Sequence, residues 1–363
     1  MKENSLTYIS CSTIPSSFAN SVHVMKMCNS FAEQGLNVNL VCKQSESWID
    51  AADALKSYGC KNDFTISAFS SKRKGILYSL SYIFYAMRKV MRAKGFVYSR
   101  YFYPLLPLFF RKTPFALEFH NDINRIDKLI SLSLIKKNRC KLIVFISEAL
   151  KDLFVSKYNA DPQKCIVLSD ACDVADIEGH SSNAVGYVGH LYKGRGIELL
   201  IDIAKKLPEL QFHLIGGKEP ELSYYRSISP SNMILYGSVK HAELPAYYNK
   251  FCVALAPYQE KIFAADKRCE TSNYCSPMKL FEYMSYKKAI VCSDLPVFHE
   301  VGKDGEDLLF RPCDDTDGWV NAIKQLMDDV VFRETIVENA YQRFLNNYTW
   351  KSRVERIINR IEG

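Results

Sequence analysis

The chain lacks the features that would place it across a membrane, outside the cell or on a metal scaffold. No apolar run in its 363 residues approaches the roughly 20 needed to span a bilayer. Met1 to Ser12 shows no charged stretch followed by a long apolar core, so a secretory signal is not expected. The twelve cysteines are scattered without a C-x-x-C pair, and several sit inside apolar runs, such as Cys42 and Cys292. Free, mostly buried thiols in a reducing compartment are expected, on the cytosolic side of a membrane. No Asp-x-Asp lies between a strand and a loop. Asp314-Asp315 and Asp328-Asp329 read as solvated charges in a polar turn and a helix end, so no metal ligand is assigned. No internal repeat occurs at solenoid periods.

What is present is enough apolar matter, 48% of residues, for two cores of ordinary size. Charge is unevenly shared. Up to Ser182 there are 24 Lys and Arg against 16 Asp and Glu, and beyond it 23 against 24. The excess of positive charge therefore belongs to the first half and points to an acidic partner, nucleic acid or anionic membrane. No basic, aromatic recognition module is visible, so nucleic acid is not expected.

Short apolar runs at Leu6–Ser10 and Val38–Cys42 read as strands. Between them Val22, Met25, Cys28, Phe31 and Ala32 recur at helical spacing, closed by Gly35. Phe96–Tyr98, Phe115–Phe119 and Leu142–Ile146 continue the alternation, and Ser147 caps a further helix. This order predicts a parallel, doubly wound α/β sheet over 1–178. Asp173 to Asn183 is the linker-like stretch. A second alternating series over 183–340 includes Val185–Val188, Ile197–Leu207, Phe212–Ile215, Cys252–Ala256, Ala289–Cys292 and Leu308–Phe310. Within 341–363, Val354, Ile357, Ile358 and Ile361 mark a terminal helix.

The most informative stretch is Tyr274-Cys-Ser-Pro-Met-Lys-Leu-Phe-Glu-Tyr-Met284. Ser276 and Pro277 form a helix start, with a hydroxyl N-cap and a proline where no N–H is needed. The free N–H groups of that first turn suit an anion. Lys279 opposes the helix dipole unless an anion sits there, and Glu282 follows three residues on, on the same face. Together they suit a phosphorylated polyol such as a nucleotide sugar. A second loop, Gly189-His-Leu-Tyr-Lys-Gly-Arg-Gly196, joins a strand to a helix and adds the cations Lys193 and Arg195. Glu118-Phe-His120 ends an apolar strand, which places His120 at the ligand-binding edge of an open sheet. Asn20 and His23 lie in the first loop, where helix capping by Asn20 or Ser21 is the other reading.

These motifs resemble the donor site of the retaining, family-four glycosyltransferases with the GT-B fold. The resemblance covers most of the chain and is strongest from Ala184 to Pro312. It implies two Rossmann-like domains facing a cleft: an acceptor domain over 1–178, a donor domain over 183–340, and a terminal helix over 341–363 crossing back. It implies catalytic roles for His120, Arg195 and Lys279. Donor contacts would come from Gly189, His190, Lys193, Tyr274, Ser276, Pro277, Met278, Leu280 and Glu282, and Asn20 and His23 would face acceptor or diphosphate. Two positions depart from the family pattern: Tyr274 replaces the first of two glutamates, and His190 stands where an arginine is usual. No cofactor or metal is implied, since Arg and Lys can carry the charge on the leaving diphosphate. The implied reaction is transfer from a nucleoside-diphosphate sugar to a glycan or lipid-linked acceptor in surface-polysaccharide assembly. A GT-B sugar-nucleotide 2-epimerase and a non-catalytic nucleotide-sugar-binding subunit stay open beside it. Ser71 to Lys94 combines an apolar, aromatic run with basic ends. It fits either an interfacial helix on anionic lipid or a core helix with solvated ends.

Overall fold

The computed structural model describes residues 4–16, 18–123, 125–177, 182–240, 243–261 and 277–362. The chain divides into two compact units, Met1–Ser169 with Trp350–Gly363, and Asp170–Thr349.

In the first unit the order is β1 (Ser5–Ile14), α1 (Ala19–Glu33), β2 (Asn37–Gln44), α2 (Ala51–Ser57), β3 (Thr65–Phe69), α3 (Gly75–Arg92), β4 (Phe96–Ser99), β5 (Phe115–Phe119), α4 (Arg125–Ile135), β6 (Cys140–Phe145), α5 (Glu148–Tyr158) and β7 (Cys165–Val167). The strands form one parallel sheet in the order β3-β2-β1-β4-β5-β6-β7. Helices on both faces explain why the central strands read as continuous apolar runs, buried throughout in β4 and β5. Helix α1 ends as its composition requires, with Gly35 beyond it at φ +80°. Ser147 caps α5 by accepting from the Leu150 N–H at 3.4 Å. The edge strands β3 and β7 escape a reading by periodicity because they are short and only partly buried.

The second unit repeats the plan: β8 (Val185–Val188), α6 (Ile197–Lys206), β9 (Phe212–Ile215), α7 (Glu221–Ile228), β10 (Met233–Gly237), α8 (Leu244–Tyr248), β11 (Val253–Ala256), α9 (Met278–Ser285), β12 (Ala289–Ser293), α10 (Pro296–His299), β13 (Leu309–Arg311), α11 (Thr316–Asp328) and α12 (Val330–Asn347). Its parallel sheet runs β10-β9-β8-β11-β12-β13. One core gathers on each face, around Trp319 and Leu200 on one side and Phe281, Phe298 and Phe344 on the other.

The last helix, Trp350–Glu362, belongs to the first unit and packs on α1 and β6. The divisions fall after Ser169 and after Thr349, whereas the sequence reading put them at 178/183 and at 340/341. Two anchors account for this. Ser285 Oγ accepts from the Ala175 N–H at 2.7 Å and donates to the Asp173 carbonyl at 2.9 Å, tying the connecting segment to the second unit. Helix α12 also runs unbroken past 341. The described cysteines are all free. Burial pushes the thiol of Cys42 up to about 12, as expected of inert core sulfur. Among the described residues no helix is long and apolar enough to cross a membrane.

Gly186 in β8 is fixed by packing. An added Cβ would lie 2.2 Å from the Phe251 ring, within a core strand. Gly186→Ala is expected to destabilise the second unit by about 1–3 kcal/mol, read as a lower urea midpoint; an unchanged midpoint would show that Phe251 can move.

Candidate active site

In the first unit the site is built on one buried carboxylate. Glu118 lies in β5, a strand whose five residues are all buried, and its side chain is fully enclosed. Tyr98 in β4, the neighbouring strand, donates its hydroxyl to Glu118 Oε2. Oε1 receives Arg353 Nη2 at 3.0 Å from the terminal helix and His120 Nε2 at 2.5 Å, with His23 Nε2 3.1 Å and Arg100 Nε 3.8 Å away. Burial alone would push the Glu118 carboxyl up. Arg353 and His23, with hydrogen bonds from His120 and His23, outweigh burial and hold it well below the usual carboxylate range. The group is therefore ionised, and an ionised carboxylate only accepts.

The structure thus brings His23 and His120 together, edge to face with ring centroids 5.3 Å apart, while Trp350 meets the other side of His23 at 5.2 Å. His23 is buried in α1. Asn20, by contrast, is exposed at the start of α1, and neither expected cap is made. Phe18 holds the N-cap position without a side-chain bond, and Ser21 Oγ instead donates to backbone carbonyls of Phe18 and Ser16. Glu118 and Arg353 were not singled out from the sequence. The signal for Glu118 was available: one charge inside an otherwise apolar strand must have a partner.

In the second unit the Gly189–Gly196 loop joins β8 to α6. Gly196 holds the N-cap position of α6 at φ +74°, and a Cβ there would lie 1.7 Å from the Pro257 carbonyl oxygen. Only glycine fits so close an approach. At Gly189 the missing side chain is what admits Lys279, whose Nζ would be 2.2 Å from an added Cβ. Lys279 lies over the Tyr187 ring at 3.8 Å and near the Tyr258 ring at 5.3 Å, and the Arg195 guanidinium lies over Tyr258 at 4.9 Å. Aromatic faces thus offset part of the conflict between Lys279 and the dipole of α9. Tyr187 also donates its hydroxyl to the His190 carbonyl at 2.6 Å, which fixes the loop. Arg195 Nε is buried with no hydrogen-bond partner among the described residues.

The remaining expected donor residues divide. Helix α9 begins at Met278, with Pro277 at the N-cap position. The start lies one residue later than read from the sequence, because Pro277 has a non-helical ψ of 61°. Tyr274 and Ser276 lie outside the described residues. Leu280 is fully buried in the core beneath the site. Glu282 is half-buried and accepts from Tyr248 OH at 3.4 Å; Tyr248 in turn stacks on Tyr286 at 3.8 Å. Lys193 is exposed in the loop. His190 stacks on Tyr192 at 4.8 Å. Burial, then the charges of Arg195, Lys279 and Lys218, hold its pKa below the usual 6.5. The ring is neutral at pH 7 and does not replace the charge of an arginine.

Residues 182–329 match the family described as glycosyl transferases group 1. This segment is a group 1 glycosyltransferase domain. A curated relative of the chain is the O-antigen chain mannosyltransferase RfbU of Salmonella typhimurium, 25% identical over 219 residues, 58% of this chain and 55% of the relative. The chain thus spans about half the length of the curated relative it matches. Among solved structures, a glycosyltransferase from Rickettsia africae superposes with a TM-score of 0.72 at 10% identity, covering 100% of this chain and 98% of that one. Anabaena Alr3699/HepE, solved with UDP and glucose, gives 0.69 at 13% identity and 99% of both chains. The fold of the chain is therefore GT-B, with two Rossmann-like domains.

The Glu118 cluster carries a pH signature. A carboxyl held low in the folded state stabilises fully above its ordinary value of 4.5, and that stability is lost as pH falls through the folded value. Urea unfolding across an acid series is expected to show a steep loss below pH 4.5. The loss should be shallower in Glu118→Leu with Arg353→Met, which removes both charges. Parallel acid limbs would rule out Glu118 as the titrating group.

Proposed function

We propose that this chain transfers a sugar from a nucleoside-diphosphate donor, with retention, to a glycan or lipid-linked acceptor in surface-polysaccharide assembly. The observation that carries the reading is the cluster of the second unit. Lys279 and Arg195 share the face of Tyr258 beside the Gly189–Gly196 loop, with Glu282 one turn along α9. The buried Arg195 Nε is the kind of donor a diphosphate oxygen satisfies. Charge grows on the leaving diphosphate as the glycosidic bond breaks, so cations fixed there stabilise the transition state more than the ground state. Arg195 and Lys279 supply the positive charge that a metal ion could otherwise bring, and no metal is assigned a role. Glu282 is assigned to the ribose and His120 to the sugar near the reacting carbon. RfbU, an O-antigen chain mannosyltransferase, and HepE, solved with UDP and glucose, support a nucleotide-sugar donor and a surface-glycan acceptor.

Thermal unfolding against UDP-, GDP-, ADP- and CMP-sugars and the free nucleotides is the direct test. One nucleotide series is expected to raise the Tm by mass action. Glu282→Ala and Lys279→Met should each weaken that ligand at least about tenfold, or 1.4 kcal/mol. No response from folded protein would overturn the donor site. Binding without transfer would favour the non-catalytic subunit, and epimer formation the 2-epimerase.

We place the acceptor at an anionic lipid surface. Helix α3 buries Tyr82, Ala86 and Val90 on one face and exposes Ile76, Leu77, Leu80, Phe84 and Met91. Phe110 is 92% exposed, which an isolated aqueous surface does not favour. From Phe64 to Leu117 the chain has ten Lys and Arg and no Asp or Glu. Exposed apolar side chains among cations of one sign suit an interfacial helix on acidic headgroups. Co-sedimentation with phosphatidylglycerol vesicles is expected, with little on phosphatidylcholine. Leu80→Glu with Phe84→Glu should lower it at least about tenfold, the loss of about 1.4 kcal/mol; equal binding would remove α3 from the interface.

A further inference from the structure

The Glu118 cluster assigns roles that the functional reading leaves open. A single oxygen, Oε1, accepts from His120 at 2.5 Å, from Arg353 at 3.0 Å and lies 3.1 Å from His23 Nε2. Its twin, Oε2, is occupied by the Tyr98 hydroxyl. An ionised carboxylate cannot donate, so the hydrogen in the His120 contact belongs to Nε2. The His23 ring lies beside the same oxygen, and the interplanar angle of 83° puts the edge of one imidazole against the face of the other. Such an anchor sets which nitrogen carries the hydrogen. Glu118 is fully enclosed and cannot itself reach a substrate, so whatever it does for the reaction it does through its partners.

We propose that Glu118, neutralised by Arg353, is the positioning residue that holds the Nε2 edge of His120, so that Nδ1 of His120 is the nitrogen that meets substrate. The proposal rests on the reading of His120 as a residue at the transferred sugar. Arg353 is part of the device because a lone buried carboxylate would be driven toward protonation. A protonated Glu118 would lose its claim on one imidazole. Arg100, 3.8 Å from Oε1 through Nε, adds a second cation to the same oxygen and keeps it ionised.

The test is nitrogen NMR of 15N-labelled full-length protein, with the imidazoles assigned through His23→Gln and His120→Gln. Wild-type His120 is expected to bear hydrogen on Nε2. Removing Glu118 alone would strand Arg353 and risk unfolding, so the comparison is Glu118→Leu with Arg353→Met, an apolar pair of similar volume. In that variant the Nε2–H preference of His120 should be lost. With the donor identified, kcat should fall by up to about 100-fold, as for a misplaced reacting group, while the KM for nucleotide sugar changes little. An Nδ1–H form of His120 in the wild type, or the same His120 state in both proteins, would overturn the positioning role. A changed His120 state with unchanged kcat would overturn its part in the reaction. Should the wild type transfer no sugar, the spectra still decide the anchoring, and the failure is then that of the functional reading.

Discussion

A charge buried in the middle of a parallel sheet is the constraint around which the first unit is arranged. The strand Phe115–Phe119 is enclosed on both faces, and an unpaired carboxylate there would cost several kcal/mol even after relaxation. The surrounding elements are placed to remove that cost. Tyr98 comes from the adjacent strand, His23 from the first helix, His120 from the end of the same strand, and Arg353 from the terminal helix. Replacing the set with leucines would make a simpler core. What the charged arrangement provides instead is two imidazoles held at known angles at the edge of a sheet, where ligands of doubly wound folds are bound.

The second unit meets a different constraint, closeness of approach. Its loop after β8 is shaped by Gly189 and Gly196, each placed against atoms that leave no room for a side chain. Into that room come Lys279 and the Pro257 carbonyl, and between them Tyr258 spreads its ring beneath both cations. Ring faces are part of the electrostatics here, since Lys279 and Arg195 both lie over tyrosines. Two cations gathered at one loop and one helix start suit a doubly charged leaving group. The two units thus meet different constraints, one the burial of a charge and the other closeness of approach.

Much of the fold was visible in the sequence because parallel strands buried on both faces leave uninterrupted apolar runs. Leu142–Ile146 and Cys252–Ala256 are examples. Short edge strands such as Thr65–Phe69 leave no such trace. The donor-side cluster was legible in its outline, since the loop glycines, Arg195, Lys279 and Glu282 lie in compact motifs. The ring faces of Tyr187 and Tyr258 were not, because a buried tyrosine carries no mark in the sequence of the cation it will meet. Glu118 and Arg353 escaped for a plainer reason. They are 235 residues apart, and no local spacing links a glutamate in a strand to an arginine on the far helix. The neutral His190 likewise needed coordinates, because its burial and its neighbours' charges decide its state.

That separation matters for the order in which the molecule is made. Domains emerge and fold from the N-terminus during synthesis, so the sheet holding Glu118 is complete long before the helix that neutralises it leaves the ribosome. Through the translation of the whole second unit the nascent first unit holds an acid without its guanidinium. It can remain protonated, or keep that strand loosely packed and wet. The first unit is then completed by the arrival of one cation, and the histidine pair acquires its working geometry only after the whole second unit has been translated.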